Sequence, residues 1–281
     1  MKRESGPGQG GQARRPRMVE RSPVTIEDVR NFWNENPLCA AAIPHPIGTP
    51  DYFSCYDKMR EANESLEFSY FLHEYGRFSG KKVLDVGCGN GYVLSKYARE
   101  GAETFGVDIT ETAVDLCRKR FALEGLTGDF RVADAEDLPF EDGSFDCVCS
   151  MGVLHHTPCT ADAVSEIHRV LKKSGKLIVM FYHRNSAYHR VYMPLRYLFT
   201  GRSVKDQVNE VDGKGNPKGD VYSRRQLRDL LSAFPQVEMF AGLLTGAMIL
   251  PRVGGFLFPD AMLKLLERRF GWFLYAKAVK R

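Results

Sequence analysis

The feature that most limits what this chain can fold into is a change of rhythm at Lys81, after which short β-rich apolar runs alternate with amphipathic helical segments. The runs are Lys82 to Val86, Thr104 to Val107, Gly128 to Val132, Phe145 to Ser150 and Lys176 to Tyr182. Helical patterns over Gly91 to Glu100, Glu111 to Glu124 and Ala161 to Leu171 separate them, the last stopped by Lys172, Lys173 and Gly175. Strands this apolar, joined by helical crossovers, belong to a mostly parallel sheet covered on both faces. Val237 to Ala241 and Trp272 to Ala278 read as two further strands. The prediction is an α/β fold with a doubly wound, mostly parallel seven-stranded sheet.

The flanks divide the chain further. Residues 24–79 carry helical patterns in Thr25 to Asn34 and around Ala62 to Glu74, with a proline-containing loop between them, and read as an N-terminal helical cap. The core spans residues 80–182. Residues 183–222 are an insertion of unassigned shape that opens with an amphipathic helix from Ser186 to Phe199. A capping-box pattern at Ser223 to Gln226 restarts the regular fold with a helix reaching Phe234, so residues 223–281 complete the sheet. Inside that part, Leu243, Leu244, Met248, Ile249, Leu250, Phe256, Leu257, Phe258, Met262, Leu263, Leu265 and Leu266 form an apolar stretch far longer than a hairpin. It is read as a core addition, as a lid acting with Phe32 and Trp33, or as a membrane-surface patch.

Charge excludes little beyond a nucleic-acid-binding body. The net +4 arises at the N-terminus, where residues 1–23 hold six Lys or Arg against two Glu and leave 33 charges of each sign elsewhere. That glycine-rich basic stretch is expected to be a disordered tail. Seven cysteines, an odd number, do not form a small secreted disulfide framework, and no signal-like apolar core follows the charged start, so a cytoplasmic protein is expected. No apolar run approaches the ~20 residues of a membrane span. Peripheral membrane contact is left open, and so is the oligomeric state.

Ligands of doubly wound sheets bind beyond the carboxyl ends of the strands. After the first strand stand Asp85, Gly87, Cys88, Gly89, Asn90 and Gly91, whose glycines let the backbone turn sharply and approach a ligand closely. After the second come Asp108 and Ile109, with Asp108 where a carboxylate accepts two ribose hydroxyls. After the third come Asp134, placed to accept an exocyclic amine, and Ala135, which leaves room for a ring. Three acids at three strand ends suit a nucleoside bearing an amino acid. A dinucleotide fits less well, because Tyr92 occupies the sixth place of G-x-G-x-x-G and Asp85 would repel a pyrophosphate.

VLDVGCGNG, FGVDIT, DAEDLPFEDGSFDCV and VLHHT followed by EIHRVLKKSGKL resemble the class I S-adenosylmethionine-dependent methyltransferases over about Lys81 to Met180. The similarity is greatest to the small-molecule branch that includes the ubiquinone and menaquinone biosynthesis enzymes. It implies a Rossmann-like sheet with an added helical and apolar cap, S-adenosyl-L-methionine as cofactor and S-adenosyl-L-homocysteine as product. It further implies that Asp85, Gly87 and Gly89 hold the methionyl part, Asp108 the ribose, and Asp134 with Ala135 the adenine, while Ser150 and Met151 close over the cofactor. The family pattern has two glycines where this chain has Ser174 and Gly175.

Methyl transfer needs alignment more than a catalytic group, but a phenol, hydroxyl or acidic carbon gains from a base, and His suits neutral pH. His155 and His156, after the fourth strand, are the candidates. Tyr182, His183 and Tyr188, in a loop with Arg184, Asn185 and His189, are candidates for acceptor recognition. The expected activity is transfer of a methyl group to an O, N or C nucleophile of a small, hydrophobic or aromatic metabolite. The alternatives are a non-catalytic S-adenosylmethionine-binding scaffold or sensor, and an arsenite methyltransferase using thiolates. No metal site is expected, since there is no paired C-x-x-C arrangement.

Overall fold

The structure, a computed structural model, describes residues 23–250 and 257–281. The tail reading falls outside those residues except at Pro23, as does Phe256 of the apolar stretch.

Helix α1 (Ile26–Glu35) begins where Thr25 and Asp28 close a capping box, each side chain bonding the other residue's backbone N–H. Helix α2 (Pro50–Asn63) corrects the expectation of a proline loop before Ala62. Pro50 opens that helix: its missing N–H costs nothing in the first turn, and the Thr49 hydroxyl accepts the N–H of Tyr52. The helix expected around Ala62 to Glu74 is the shorter α3 (Leu66–His73), capped by Ser65.

The core follows as β1 (Lys82–Val86), α4 (Tyr92–Arg99), β2 (Glu103–Asp108), α5 (Glu111–Leu123), β3 (Asp129–Val132), β4 (Phe145–Met151), α6 (Thr160–Val170) and β5 (Leu171–His183). Then come α7 (Met193–Thr200), α8 (Val204–Asn209), β6 (Val221–Tyr222), α9 (Arg224–Leu230), β7 (Gln236–Gly242), α10 (Asp260–Phe270) and β8 (Phe273–Val279). The strands lie in the order β3-β2-β1-β4-β5-β8-β7, parallel from β3 to β5, with β8 antiparallel to both neighbours. All seven expected strands are present. An eighth, β6, pairs parallel with the end of β5, Tyr182 opposite Val221 and His183 opposite Tyr222.

Alternation along the central strands divides the core. Leu84, Val86, Val148, Leu177 and Val179 pack on one face with α6 and α9. Val83, Cys147, Cys149, Ile178 and Met180 pack on the other with aromatic residues of the N-terminal cap. Cys147 and Cys149 are therefore core residues, and among the described residues no three His, Cys, Asp or Glu side chains converge as metal ligands.

The expected helix stop at Gly175 is corrected. Helix α6 ends at Val170 and β5 starts at Leu171, so Lys172 to Gly175 form an irregularity inside the strand. The left-handed residue there is Ser174, φ 62°, and its N–H donates to Lys280 O at 2.8 Å. Gly175 serves close approach, because a Cβ on it would lie 2.8 Å from Lys172 O.

Two devices fix the cap and the insertion over the sheet. Arg120 of α5, 1% exposed, donates from Nε to Asn90 O in the glycine turn and from both Nη atoms to Asp57 of α2, at 2.8 and 3.0 Å. A buried bidentate pair of this kind sets geometry firmly. The insertion starts with the expected helix, as a wide turn over Tyr188–Tyr192 that runs into α7, and Met193 packs against Tyr182 and Trp272. Among the described residues no helix is long and apolar enough to cross a membrane.

Candidate functional site

A cavity of about 560 Å³ opens beyond the carboxyl ends of β1, β2, β3 and β4, roofed by α1 and α2. The sheet delivers its polar floor. Asp85, Asp108 and Asp134 all border it, with Gly87, Cys88, Gly89, Asn90, Ile109, Ala135 and Met151. Gly91 and Ser150 do not. A Cβ on Gly91 would meet Cys117 Sγ at 2.8 Å, and the Ser150 hydroxyl donates to Val86 O at 2.9 Å, so both serve packing behind the floor.

The glycine turn has two kinds of restriction. Gly87 has φ 79° and would carry a Cβ 2.2 Å from a Val153 methyl, so the fold itself demands glycine there. Gly89 also has positive φ, 52°, yet a Cβ on it meets nothing within 4 Å. The backbone at Gly89 thus faces open space on the cavity side, which a close-lying ligand can fill.

Asp108 is held by three donors: the Gly89 N–H at 3.1 Å on one oxygen, and the Thr110 N–H and hydroxyl, both at 3.1 Å, on the other. Burial raises its pKa, against those hydrogen bonds. Its remaining lone pairs can accept vicinal hydroxyls. Asp134 accepts the Glu136 N–H at 2.9 Å on Oδ1. Asp85 is 4% exposed and receives a hydrogen bond from the Cys149 thiol of β4. Burial, with the Asp108 charge adding to it, pushes its pKa up to about 7. No cationic side chain pairs with it in a salt bridge among the described residues. Arg60 of α2 lines the same cavity with its Nε unpartnered among the described residues, and its guanidinium pairs with Glu64 at 2.6 Å. A buried acid with no ion-pair partner among the described residues, and an arginine bordering the same cavity, suit the ammonium and carboxylate of a free amino acid. The residues present therefore fit S-adenosylmethionine.

Beyond the glycine turn the cavity is walled by Trp33, Leu38, Met151, Met180, Tyr182 and Phe273, with His156 and Asp212 as polar groups. The Tyr182 hydroxyl donates to Asp212 Oδ2 at 2.5 Å, and His156 Nε2 lies 3.2 Å from the same oxygen. His156 Nδ1 lies 2.5 Å from Lys218 O. A carbonyl only accepts, so Nδ1 carries a hydrogen. Trp33 of α1 packs edge-on against the imidazole, ring centroids 5.4 Å apart.

The other proposed residues lie elsewhere. His155 is fully buried behind the cavity wall, its ring 4.1 Å from that of Tyr182, and burial pushes its pKa well down. A base that cannot reach the cavity cannot serve it, so His155 drops out as a catalytic candidate. His183 bonds through Nδ1 to Gly271 O at 3.0 Å, and Tyr188 stacks on Tyr192 in the insertion; neither borders the cavity. Asp212, Lys218 and Arg60 were not foreseen. The first two belong to the insertion, where no periodic pattern or motif marks a side chain, and Arg60 lies on the helix that was read as a loop.

Residues 84–179 match the family model described as a methyltransferase domain. The chain is 38% identical over 135 residues to the chloroplastic tocopherol O-methyltransferase of Arabidopsis thaliana, covering 46% of this chain and 38% of that protein. It is 32% identical over 130 residues to the ubiquinone biosynthesis O-methyltransferase of Pseudomonas aeruginosa (strain UCBPP-PA14), covering 46% of this chain and 53% of that one. The chain thus spans about half the length, or less, of the curated relatives it matches. Among solved structures, the magnesium protoporphyrin IX methyltransferase of Synechocystis PCC 6803 with bound SAM aligns with TM-score 0.57 at 15% identity, over 94% of this chain and 100% of that one. The [4+2]-cyclase SpnF aligns with TM-score 0.57 at 19% identity, over 92% of this chain and 97% of that one. These two likenesses establish a common fold. Residues 84–179 match a methyltransferase domain, on a fold shared with that S-adenosylmethionine-bound methyltransferase.

Proposed function

We propose that the protein transfers a methyl group from S-adenosylmethionine to an oxygen of a small hydrophobic, aromatic molecule, with His156 as the base. The observation that carries this reading is that one cavity joins the acidic floor at Asp85 and Asp108 to the Tyr182–Asp212–His156 group. When bound, the cofactor supplies a methyl carbon activated by positively charged sulfur. Asp85 holds the ammonium, Arg60 the carboxylate, Asp108 the ribose hydroxyls, and Asp134 with Ala135 the adenine. The apolar walls, Trp33, Met151, Met180 and Phe273, exclude water and hold an aromatic acceptor by its faces.

For this the acceptor hydroxyl takes the place of Asp212 Oδ2 at His156 Nε2, a buried atom, and donates to it. The bound cofactor would give its methyl carbon to that oxygen and keep the bonding electron pair on sulfur, while the hydroxyl proton would pass to Nε2. The imidazolium that results has Lys218 O beside Nδ1 and Asp212 Oδ2 beside Nε2. Oxygen is favoured over nitrogen or carbon because the names of both relatives are those of O-methyltransferases. The fold by itself does not decide the chemistry, as the likeness to a [4+2]-cyclase shows.

The test uses methyl-labelled S-adenosylmethionine with a series of phenols bearing and lacking an apolar tail. Label should enter the tailed phenols, and His156→Ala should lower kcat by about 100-fold or more at neutral pH while cofactor affinity is retained. Cofactor binding with no label in any small molecule would refute the transfer. Full turnover by His156→Ala would refute the base.

A further inference from the structure

We propose that the exposed faces of α7 and α10 together form a surface that docks on an anionic lipid membrane. The three most exposed large apolar side chains among the described residues are Phe199 at 87%, Leu265 at 74% and Leu198 at 73%. All three lie on these two helices. On the first and the wide turn that leads into it, Val191, Leu195, Leu198 and Phe199 recur at the i, i+4, i+7, i+8 spacing of one helical face. On the second, Met262, Leu265 and Phe270 are exposed along a face that also carries Leu266. The two stripes meet where one apolar groove of about 420 Å³ is lined by Val191 of the turn leading into the first and by Leu266 and Phe270 of the second. The inner side of α7 is satisfied by packing, with Met193 buried against Tyr182 and Trp272. The outer apolar side chains therefore have no structural task in the fold described.

Charge selects the occupant. From Arg184 to Lys205 the chain contains no Asp or Glu, and Arg184, Arg190, Arg196 and Lys205 are exposed, with Arg202 exposed but paired with Glu210. Helix α10 adds exposed Lys264, Arg268 and Arg269 against one exposed acid, Asp260 at its first residue, while its Glu267 accepts the Leu243 N–H at 2.6 Å. Two copies of this surface placed face to face would oppose arginine to arginine. An anionic bilayer satisfies both features, taking the apolar side chains among its acyl chains and the guanidinium groups at its phosphates. The surface is distinct from the cavity, and the inference holds whatever chemistry the cavity performs.

The experiment is co-sedimentation of the full chain with vesicles of phosphatidylcholine, with and without phosphatidylglycerol, at low and high salt. Binding should need the anionic lipid and weaken with salt. Leu198→Ser with Phe199→Ser should lower the partition coefficient by about tenfold or more, and Arg196→Glu should do so only on the anionic vesicles. These positions are on the surface, so far-UV circular dichroism and Tm should match the parent. No binding to the anionic vesicles, or binding unchanged in both variants, would overturn the proposal. So would an ultracentrifuge result in which the parent is a dimer that the Leu198→Ser, Phe199→Ser variant converts to monomer, since the patch would then be covered by a second copy.

Discussion

Asp85 offers the sharpest check on the site. A carboxyl whose pKa stands at about 7 in the folded chain, against an ordinary value of 3.8, holds a proton that the unfolded chain has already released at pH 5 or 6. The folded state therefore binds more protons between pH 4 and pH 7, and stability must fall as pH rises through that window. At about 1.4 kcal/mol per unit, a shift of roughly three units amounts to ~4 kcal/mol, fully present below pH ~4 and lost near pH 7. Asp85→Asn keeps the shape and the Cys149 contact but cannot ionise. Ligand-free, it should be more stable than the parent at pH 8 by up to ~4 kcal/mol in urea unfolding, and the difference should vanish toward pH 4. A bound ammonium reverses the preference and draws the proton off. Calorimetric affinity of the parent for S-adenosylmethionine should therefore rise about fifteenfold from pH 5.5 to pH 7, the ratio of ionised fractions for a pKa near 7, while Asp85→Asn stays flat and weak. Equal stability of the two proteins from pH 5 to pH 8, together with affinity independent of pH, would refute both the buried unpaired acid and its partnership with an ammonium.

The glycine turn separates folding from binding. Gly89→Ala should cost only about 1 kcal/mol of stability, for its positive φ, but weaken cofactor affinity at least tenfold; unchanged affinity by calorimetry would mean the ligand does not approach that backbone. Gly87→Ala should instead lower the urea midpoint by the equivalent of about 2 kcal/mol or more, because its Cβ lands on Val153; a normal midpoint would contradict the contact. Ser174→Gly should stabilise by roughly 0.5 kcal/mol, relief of the left-handed strain outweighing the extra freedom glycine gives the unfolded chain, and should leave cofactor affinity untouched; a loss of stability would show that the Ser174 side chain contributes more than its φ costs.

The sequence by itself determined the sheet and the acidic floor of the cavity. Strand and helix periodicity depends on neighbours a few residues away, so β1 to β4 and the last two strands could be placed nearly to the residue, while β5 starts five residues before the expected Lys176. Ligands bind where parallel strands end, so Asp85, Asp108 and Asp134 announced themselves by position alone. The exceptions are local ones. Pro50 starts a helix that was read as a loop, since proline at a first turn and proline in a loop look alike until the cap at Thr49 is seen. Ser174, not Gly175, takes the left-handed turn, because the chain there is already a strand held by Lys280.

The acceptor half was decided only in three dimensions. Two adjacent histidines are indistinguishable in sequence, yet the short helical turn after β4 points His156 at the cavity and buries His155 behind Tyr182. Asp212 comes from an insertion 56 residues after His156 in the chain and reaches it only because β6 pairs with the end of β5 and draws that loop across the strand ends. Contacts of that range are set by how surfaces pack, which no local pattern of residues encodes.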